Sequence, residues 1–312
     1  MEFIRGLVNL VENSPAVVAT IGNFDGVHLG HQAILEQLKS VATQSGLLSA
    51  VVIFEPQPIE YFAPERAPSR LTRLREKLQE FQQHNIDRVV CIKFNRSLAN
   101  LSADEFVQQI LVDRLNVKSL IVGDDFRFAK DRSGNFNTLV NAGKKFGFDV
   151  QMMDSFYTNE QRVSSTLIRE ALEAGEIRQA NQMLGRPYRI TGRVVHGDKR
   201  GRTIGFATAN IELKRYQSPV HGIFSGRVFG LSEQALDAVV YVGSRPVYNG
   251  ERIILEVHIL NFDQNIYGEQ IQVEFIEKLR GEGEFDTEQA LIKQIRKDIE
   301  HAKISLLKIN HN

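Results

Sequence analysis

TIGNFDGVHLGHQ, residues 20–32, lies between two unlike segments of the chain. The four residues before it, AVVA at 16–19, form a short apolar run with β-branched members, whereas AILEQL at 33–38 has the apolar spacing of a helix. The order is strand, loop, helix. Gly22, Gly26 and Gly30 are expected to give this loop left-handed turns and a close approach to a ligand, and the free N–H groups opening the helix favour an anion there. His28 and His31 are three residues apart, so near a helix start both imidazoles project toward that anion. A glycine loop alone is a weak signal, and a histidine at a helix start is more often a cap than a catalyst. Two histidines beside a phosphate-type loop point to stabilisation of transition-state charge.

At 312 residues the chain suits two domains, each able to bury its own core. Lysine plus arginine and aspartate plus glutamate both number 38, so the basic excess of a nucleic-acid or anionic-membrane binder is missing. Cys91 is the only cysteine; it sits in the apolar run VVCI, which excludes an internal disulfide and reads as a buried thiol. The opening MEFIRGLVNLVEN lacks the basic start and apolar core of a signal peptide, and no apolar run reaches the ~18 residues of a membrane helix. A cytoplasmic protein with neither a nucleic-acid nor a membrane partner is expected, and whether it forms a weak homo-oligomer is left open.

Beyond the loop, strand-type runs at 49–54, 88–94, 119–123 and 148–153 alternate with helical patterns near 30–43, 73–84, 103–115 and 134–146. That alternation predicts a doubly wound parallel sheet with right-handed crossovers. Ligands in such sheets sit at the carboxyl ends of the strands. The segments there are FEPQP (54–58), GDDFRF (123–128) and VSSTLIR (163–169). Taken singly, Pro56 and Pro58 end a strand and Ser164, Ser165 and Thr166 are ordinary helix caps. Their shared place on the edge reached by His28 and His31 is what makes them site candidates.

Two short helical patterns over 165–184 end at MLGRP, where glycine and proline stop a helix, so the domains are expected to be 1–184 and 185–312. From Tyr188 the texture changes to short alternating runs at 188–196, 223–228, 238–242, 252–260 and 269–278, followed by an amphipathic helix over 287–302. An antiparallel β-barrel with a terminal helix is the expectation. GDKRGRTIGFATAN (197–210) is a glycine-rich basic loop leading to Thr208 and Asn210, two apart and so on one strand face, with oxygens suited to Mg²⁺. In IILEVHIL (253–260), Leu255, Val257 and Ile259 form one face and Glu256 and His258 share the other. Glu256, a carboxylate among apolar neighbours, is a candidate general base. Polar residues on the wet face of a sheet are the plainer alternative for both segments.

HLGH at 28–31 follows the HxGH pattern and resembles the signature of the nucleotidyltransferase superfamily. GNFDGVHLGHQ together with FEPQP, GDDFRF and SSTLIR resembles the prokaryotic bifunctional riboflavin kinase/FAD synthetase (FMN adenylyltransferase) family, and the second half, with TAN at 208–210 and Glu256, His258 and Phe262 in an ExHxxxF pattern, is similar to its riboflavin kinase module. The resemblance implies an enzyme with two sites. Riboflavin and ATP would give FMN, and FMN and ATP would give FAD and pyrophosphate, with Mg²⁺. It implies catalytic roles for His28, His31, Arg169 and Glu256 and metal ligation by Thr208 and Asn210. Nucleotide contacts would come from Gly22, Phe24, Asp25, Gly26, Ser164, Ser165 and Thr166 in the first site and Gly197, Lys199 and Gly205 in the second. Flavin contacts would come from Phe54, Pro56, Pro58, Phe62, Arg70, Asp125, Phe126 and Phe128, and in the second site from Arg280. The sequence departs from the family pattern at Ala129 (usually Gly), Ala207 (usually Pro), Phe224 (usually Tyr) and YVGSRPV at 241–247. A narrower alternative keeps adenylyl transfer alone, with the barrel a weak kinase or a flavin-binding module. A flavin sensor without turnover would have no need of the acid–base and metal residues.

Overall fold

The computed structural model describes residues 1–10, 14–158, 160–197, 201, 204–213, 217–247 and 250–310. Two compact units result, Met1–Pro68 with Thr72–Val163 and Ser69–Leu71 with Ser164–Asn312.

The first unit runs β1 (Glu2–Arg5), β2 (Val17–Ile21), α1 (Leu29–Ser45), β3 (Leu48–Glu55), α2 (Pro58–Phe62), α3 (Leu74–Gln83), β4 (Arg88–Lys93), α4 (Arg96–Ala99), α5 (Ala103–Phe106), β5 (Val117–Gly123), α6 (Phe136–Phe146), β6 (Asp149–Met153) and the hairpin β7 (Tyr157–Thr158) with β8 (Gln161–Arg162). Its sheet is parallel, in the order β1-β4-β3-β2-β5-β6. Every residue of β2 is buried, as a strand covered on both faces requires. One face packs on Phe106, Ile110, Leu111, Leu139 and Phe148, the other on Leu35, Leu38, Phe81 and Ile86. From β2 the chain steps to β3 and β4 on one side, then crosses to β5 and β6 on the other. The reversal lies between β2 and β5, and it opens a crevice at their carboxyl ends, where the glycine loop emerges.

The predicted doubly wound sheet is therefore present, with one added edge strand, β1. The helix predicted over 103–115 is instead α5 followed by a wider-wound π segment at Val107–Val112, which buries Val107, Ile110 and Leu111.

The second unit holds α7 (Ser165–Ala174), α8 (Ile177–Leu184), β9 (Arg189–Val195), β10 (Ala209–Glu212), β11 (Gly222–Phe229), β12 (Leu236–Val247), β13 (Gly250–Ile259), β14 (Gln270–Arg280) and α9 (Glu288–Asn310). Its six strands close an antiparallel barrel in the order β10-β13-β12-β11-β14-β9, as the alternating runs predict, with β10 as the closing strand. Inside, Phe224 and Phe275 meet edge to face at 5.2 Å and are fully buried. Helix α9 lies outside β11, β12 and β14, tied by Ser305 to Ser225 at 2.9 Å. Contacts divide the chain at Val163, ahead of the boundary expected at 184, because α8 packs on β14.

Candidate active sites

In the first unit the glycine loop uses its glycines differently from expectation. Only Gly26 of the three takes a left-handed φ, and the other two positive values belong to Phe24 (47°) and Val27 (42°). Gly22 and Gly30 instead provide room. A Cβ on Gly22 would stand 3.1 Å from the Phe24 ring, and one on Gly30 would stand 3.3 Å from both the His28 ring and Phe156. The loop is clasped from α3's side: Asp25 accepts from the Thr72 N–H at 3.0 Å, and Thr72 Oγ1 accepts from the Gly26 N–H at 2.9 Å. Asp25 is buried and fixes the loop through Thr72. Phe24, only 2 % exposed, packs between Phe81 and His31.

His28 is the cap of α1. Its Nδ1 accepts from the His31 N–H at 3.3 Å, opening α1, so the neutral ring carries its proton on Nε2. The two imidazoles stack at 3.6 Å with an 18° tilt. His31 Nδ1 is enclosed without a hydrogen-bond partner. Burial first, then the charges of His28 and Lys77, push His31 well below its ordinary pKa. His31 is therefore neutral at pH 7 and acts as a fixed hydrogen-bonding group.

At the end of β3, Phe54 and Phe62 meet Phe94 at 5.8 and 5.6 Å, and Tyr61 joins them at 5.5 Å from Phe94. Phe62 is 65 % exposed, so the cluster offers an open aromatic surface for a flat ring. Pro58 opens α2, and Pro56 is half-buried in the preceding turn. Tyr61 and Phe94 were not picked out from the sequence. After β5, Asp125 is exposed and paired with Arg162 of the hairpin at 2.7 Å. Phe128 is a core residue, 5.2 Å from Phe106 and stacked 5.7 Å from the half-buried Phe126.

Ala129 adopts φ 64° and ψ −175°, a region essentially reserved for glycine. The strain is of order 1–3 kcal/mol, partly offset by the extra chain entropy glycine loses on folding. Ala129→Gly should therefore raise the melting temperature of the first unit by about 2–4 °C, measured by calorimetry; an unchanged or lower value would contradict the strain.

In the second unit Ser164 caps α7, its Oγ accepting from the Leu167 N–H at 3.3 Å, while Ser165 is half-buried and Thr166 exposed. Arg169 donates from Nε to the Ser69 carbonyl at 2.6 Å. Arg70 lies in that same short segment.

The barrel carries a cavity of about 340 Å³ on its outer wall beneath α9, within the range of small-molecule sites. Register explains its composition. Asn210 of β10 and Tyr241 of β12 both stand directly opposite Glu256 of β13, so all three share the outward face while Leu255 and Val257 turn into the barrel core. Thr208, Glu256, His258 and Tyr241 line the cavity, and Leu291 and Ile295 of α9 roof it. His258 Nδ1 lies 2.8 Å from the Ala207 carbonyl, which can only accept, so the ring donates there and ties the Thr208 loop to β13. Replacing proline by alanine at 207 leaves this carbonyl in place. Phe224 is buried inside the barrel, so the departure there does not reach the cavity.

Gly197 must stay small: a Cβ would stand 2.3 Å from the Asn210 amide. Gly205 takes φ 88°, and Lys199 lies outside the described residues. Arg280 lines the cavity, but its guanidinium is held by Asp298 of α9 at 2.7–3.1 Å, so it reaches a ligand only as part of that pair. Tyr241 and the α9 residues were missed as site residues, because nothing local in α9 marks it as a roof. Among the described residues no group of three or more His, Cys, Asp or Glu is placed to hold a metal ion. A hydroxyl and an amide at Thr208 and Asn210 suit a hard cation that arrives on nucleotide phosphates.

A family model described as FAD synthetase matches residues 10–167, and one described as riboflavin kinase matches 184–306. Proteins named bifunctional riboflavin kinase/FMN adenylyltransferase are 48 % identical in Haemophilus influenzae over 97 % of this chain and 98 % of theirs, and 46 % identical in Escherichia coli K12 over 96 % of both. A solved structure titled macrolide-efflux protein from Streptococcus pneumoniae superposes with a TM-score of 0.83 at 28 % identity, covering 97 % of this chain and 99 % of that one. No helix among the described residues is long and apolar enough to cross a membrane.

Proposed function

The chain belongs to the bifunctional riboflavin kinase/FMN adenylyltransferase family, and from that premise we propose that its two reactions divide between the two sites described above. The protein phosphorylates riboflavin with ATP to FMN and adenylylates FMN with a second ATP to FAD and pyrophosphate. The division by residue rests on one observation: each unit carries its own chemical set, the stacked His28–His31 pair in one and Glu256 between Asn210 and Tyr241 in the other.

In the first reaction, riboflavin occupies the cavity beneath α9, and Glu256 takes the proton of the ribityl 5′-hydroxyl as its oxygen attacks the γ-phosphorus; ADP leaves. Thr208 and Asn210 would hold Mg²⁺ through a hydroxyl and an amide oxygen, and the ion would supply charge neutralisation at the phosphates. In the second, an FMN phosphate oxygen attacks the α-phosphorus of ATP and pyrophosphate leaves. His28 and His31 donate hydrogen bonds to the oxygens that gain charge, and the α1 N-terminus adds its N–H groups. The aromatic surface of Phe54, Tyr61, Phe62 and Phe94 takes the isoalloxazine. Functionally the chain divides at 184/185. Dependence on ATP and metabolic flavin supports a cytoplasmic setting.

Removing divalent cations with EDTA should stop FMN formation, and Mg²⁺ should restore it, followed by chromatography of the flavins. Phosphorylation that persists without a divalent cation would remove the role given to Thr208 and Asn210.

A further inference from the structure

Among the described residues Lys77 is the one buried lysine, 1 % exposed, on the face of α3 that packs beneath the glycine loop. Its Nζ donates to the Asn23 carbonyl at 2.7 Å. Burying an ammonium in this way is costly, and such a group is retained where its charge has work to do. Asn23 lies between Gly22 and Phe24, in the part of the loop that sets the Phe24 ring against His31. The loop is thus fixed from α3's side at two points, Thr72 on Asp25 and Gly26, and Lys77 on Asn23.

We propose that Lys77 is a positioning residue for adenylyl transfer: its buried ammonium pins the Asn23 carbonyl and sets a fixed positive charge behind the His28–His31 pair. The proposal rests on the assignment of that pair to the adenylyl site. Two charged or titratable groups act on His31, His28 from its own helix cap and Lys77 from α3, and both disfavour its protonation. Near Lys77 on α3, Glu76 accepts from the Arg73 N–H at 2.6 Å at the helix start, and Glu80 is buried one turn on. Burial is the first cause that keeps His31 neutral and His28 the second, and the Lys77 charge adds to both; a positive charge there also favours a bound phosphate.

The sign follows directly. With the ammonium gone, His31 takes its proton at a higher pH. The test compares the full chain with Lys77→Met and Lys77→Arg. His31 is titrated by NMR, its signal assigned with His31→Gln; FAD formation from FMN is measured against pH, and FMN formation from riboflavin reports on the other unit. In Lys77→Met the His31 midpoint and the acid limb of FAD formation should both move to higher pH, with FMN formation unchanged; Lys77→Arg should keep the midpoint low. A midpoint unmoved in Lys77→Met overturns the proposal. If Lys77→Met loses the first unit's fold, Lys77→Arg decides, and a raised midpoint there overturns the proposal equally. Undiminished FAD formation in His31→Gln would instead refute the underlying assignment of the histidine pair, an outcome separate from either result on Lys77.

Discussion

Replacing His31 by alanine should lower FAD formation from FMN and ATP by about 10²–10³-fold while riboflavin is still converted to FMN, because the loss is that of one preorganised donor to the migrating adenylyl group. His28→Ala should do the same, with an added structural cost. His28 caps α1 through Nδ1, and losing an N-cap costs about 0.5–2 kcal/mol, so reduced activity in that variant has two readings. His28→Asn separates them: the amide oxygen can still cap the helix, yet it has no Nε2–H to offer a phosphate. That variant should melt near the parent temperature and still fail to make FAD. Both products are followed by chromatography, with purified FMN supplied so that the second reaction does not depend on the first. If His31→Ala makes FAD at the parent rate, transition-state stabilisation by the pair is wrong; if FMN formation falls in parallel, the two sites are not chemically separate.

The architecture was largely legible because it is written in periodicities. Buried parallel strands read as apolar runs between helical patterns, and barrel strands read as alternation, so the parallel sheet, the barrel and the terminal helix could all be anticipated. The edge strand β1 was not, since four residues with three exposed side chains carry almost no pattern. The histidine pair was legible from its spacing beside the glycine loop. Lys77 was hidden for the opposite reason: LREKLQEFQQ reads as an amphipathic helix whose lysine faces water, and only tertiary packing turns that lysine under the loop. Phe24, Asp25 and Phe128 were assigned to ligands because they sit in site-bearing segments. A motif fixes which residues are needed, not whether they touch substrate or support those that do; in the structure these three are buried and held by protein contacts. Gly22 and Gly30 show the same limit for backbone, because space and positive φ are indistinguishable requirements until neighbours are known. The cavity roof, drawn from α9, depends on contacts more than 30 residues from Glu256 and had no local sign.

Glu256→Gln should abolish FMN formation, with a fall of about 10²–10⁴-fold, and leave FAD formation from added FMN intact, the mirror image of the His31 result. Glutamine keeps the volume and one acceptor oxygen, so the barrel wall and its register with Asn210 and Tyr241 are preserved while the proton acceptor is lost. Directly opposed residues in an antiparallel pair hold their Cβ atoms about 4.5–5.5 Å apart. At that separation a cation on Asn210 and a base at Glu256 can meet the γ-phosphate and the attacking hydroxyl from one strand face. Glu256→Asp tests this spacing. It keeps the base but withdraws it by one methylene, so phosphorylation should fall to an intermediate level through kcat rather than through the KM for riboflavin. His258 is a useful contrast: its Nδ1 donates to the Ala207 carbonyl, and His258→Ala should loosen the Thr208 loop and act mainly on the KM for ATP. Normal phosphorylation by Glu256→Gln would eliminate Glu256 as the base, and it would leave the Thr208–Asn210 face as a nucleotide platform whose acid–base partner lies elsewhere in the cavity.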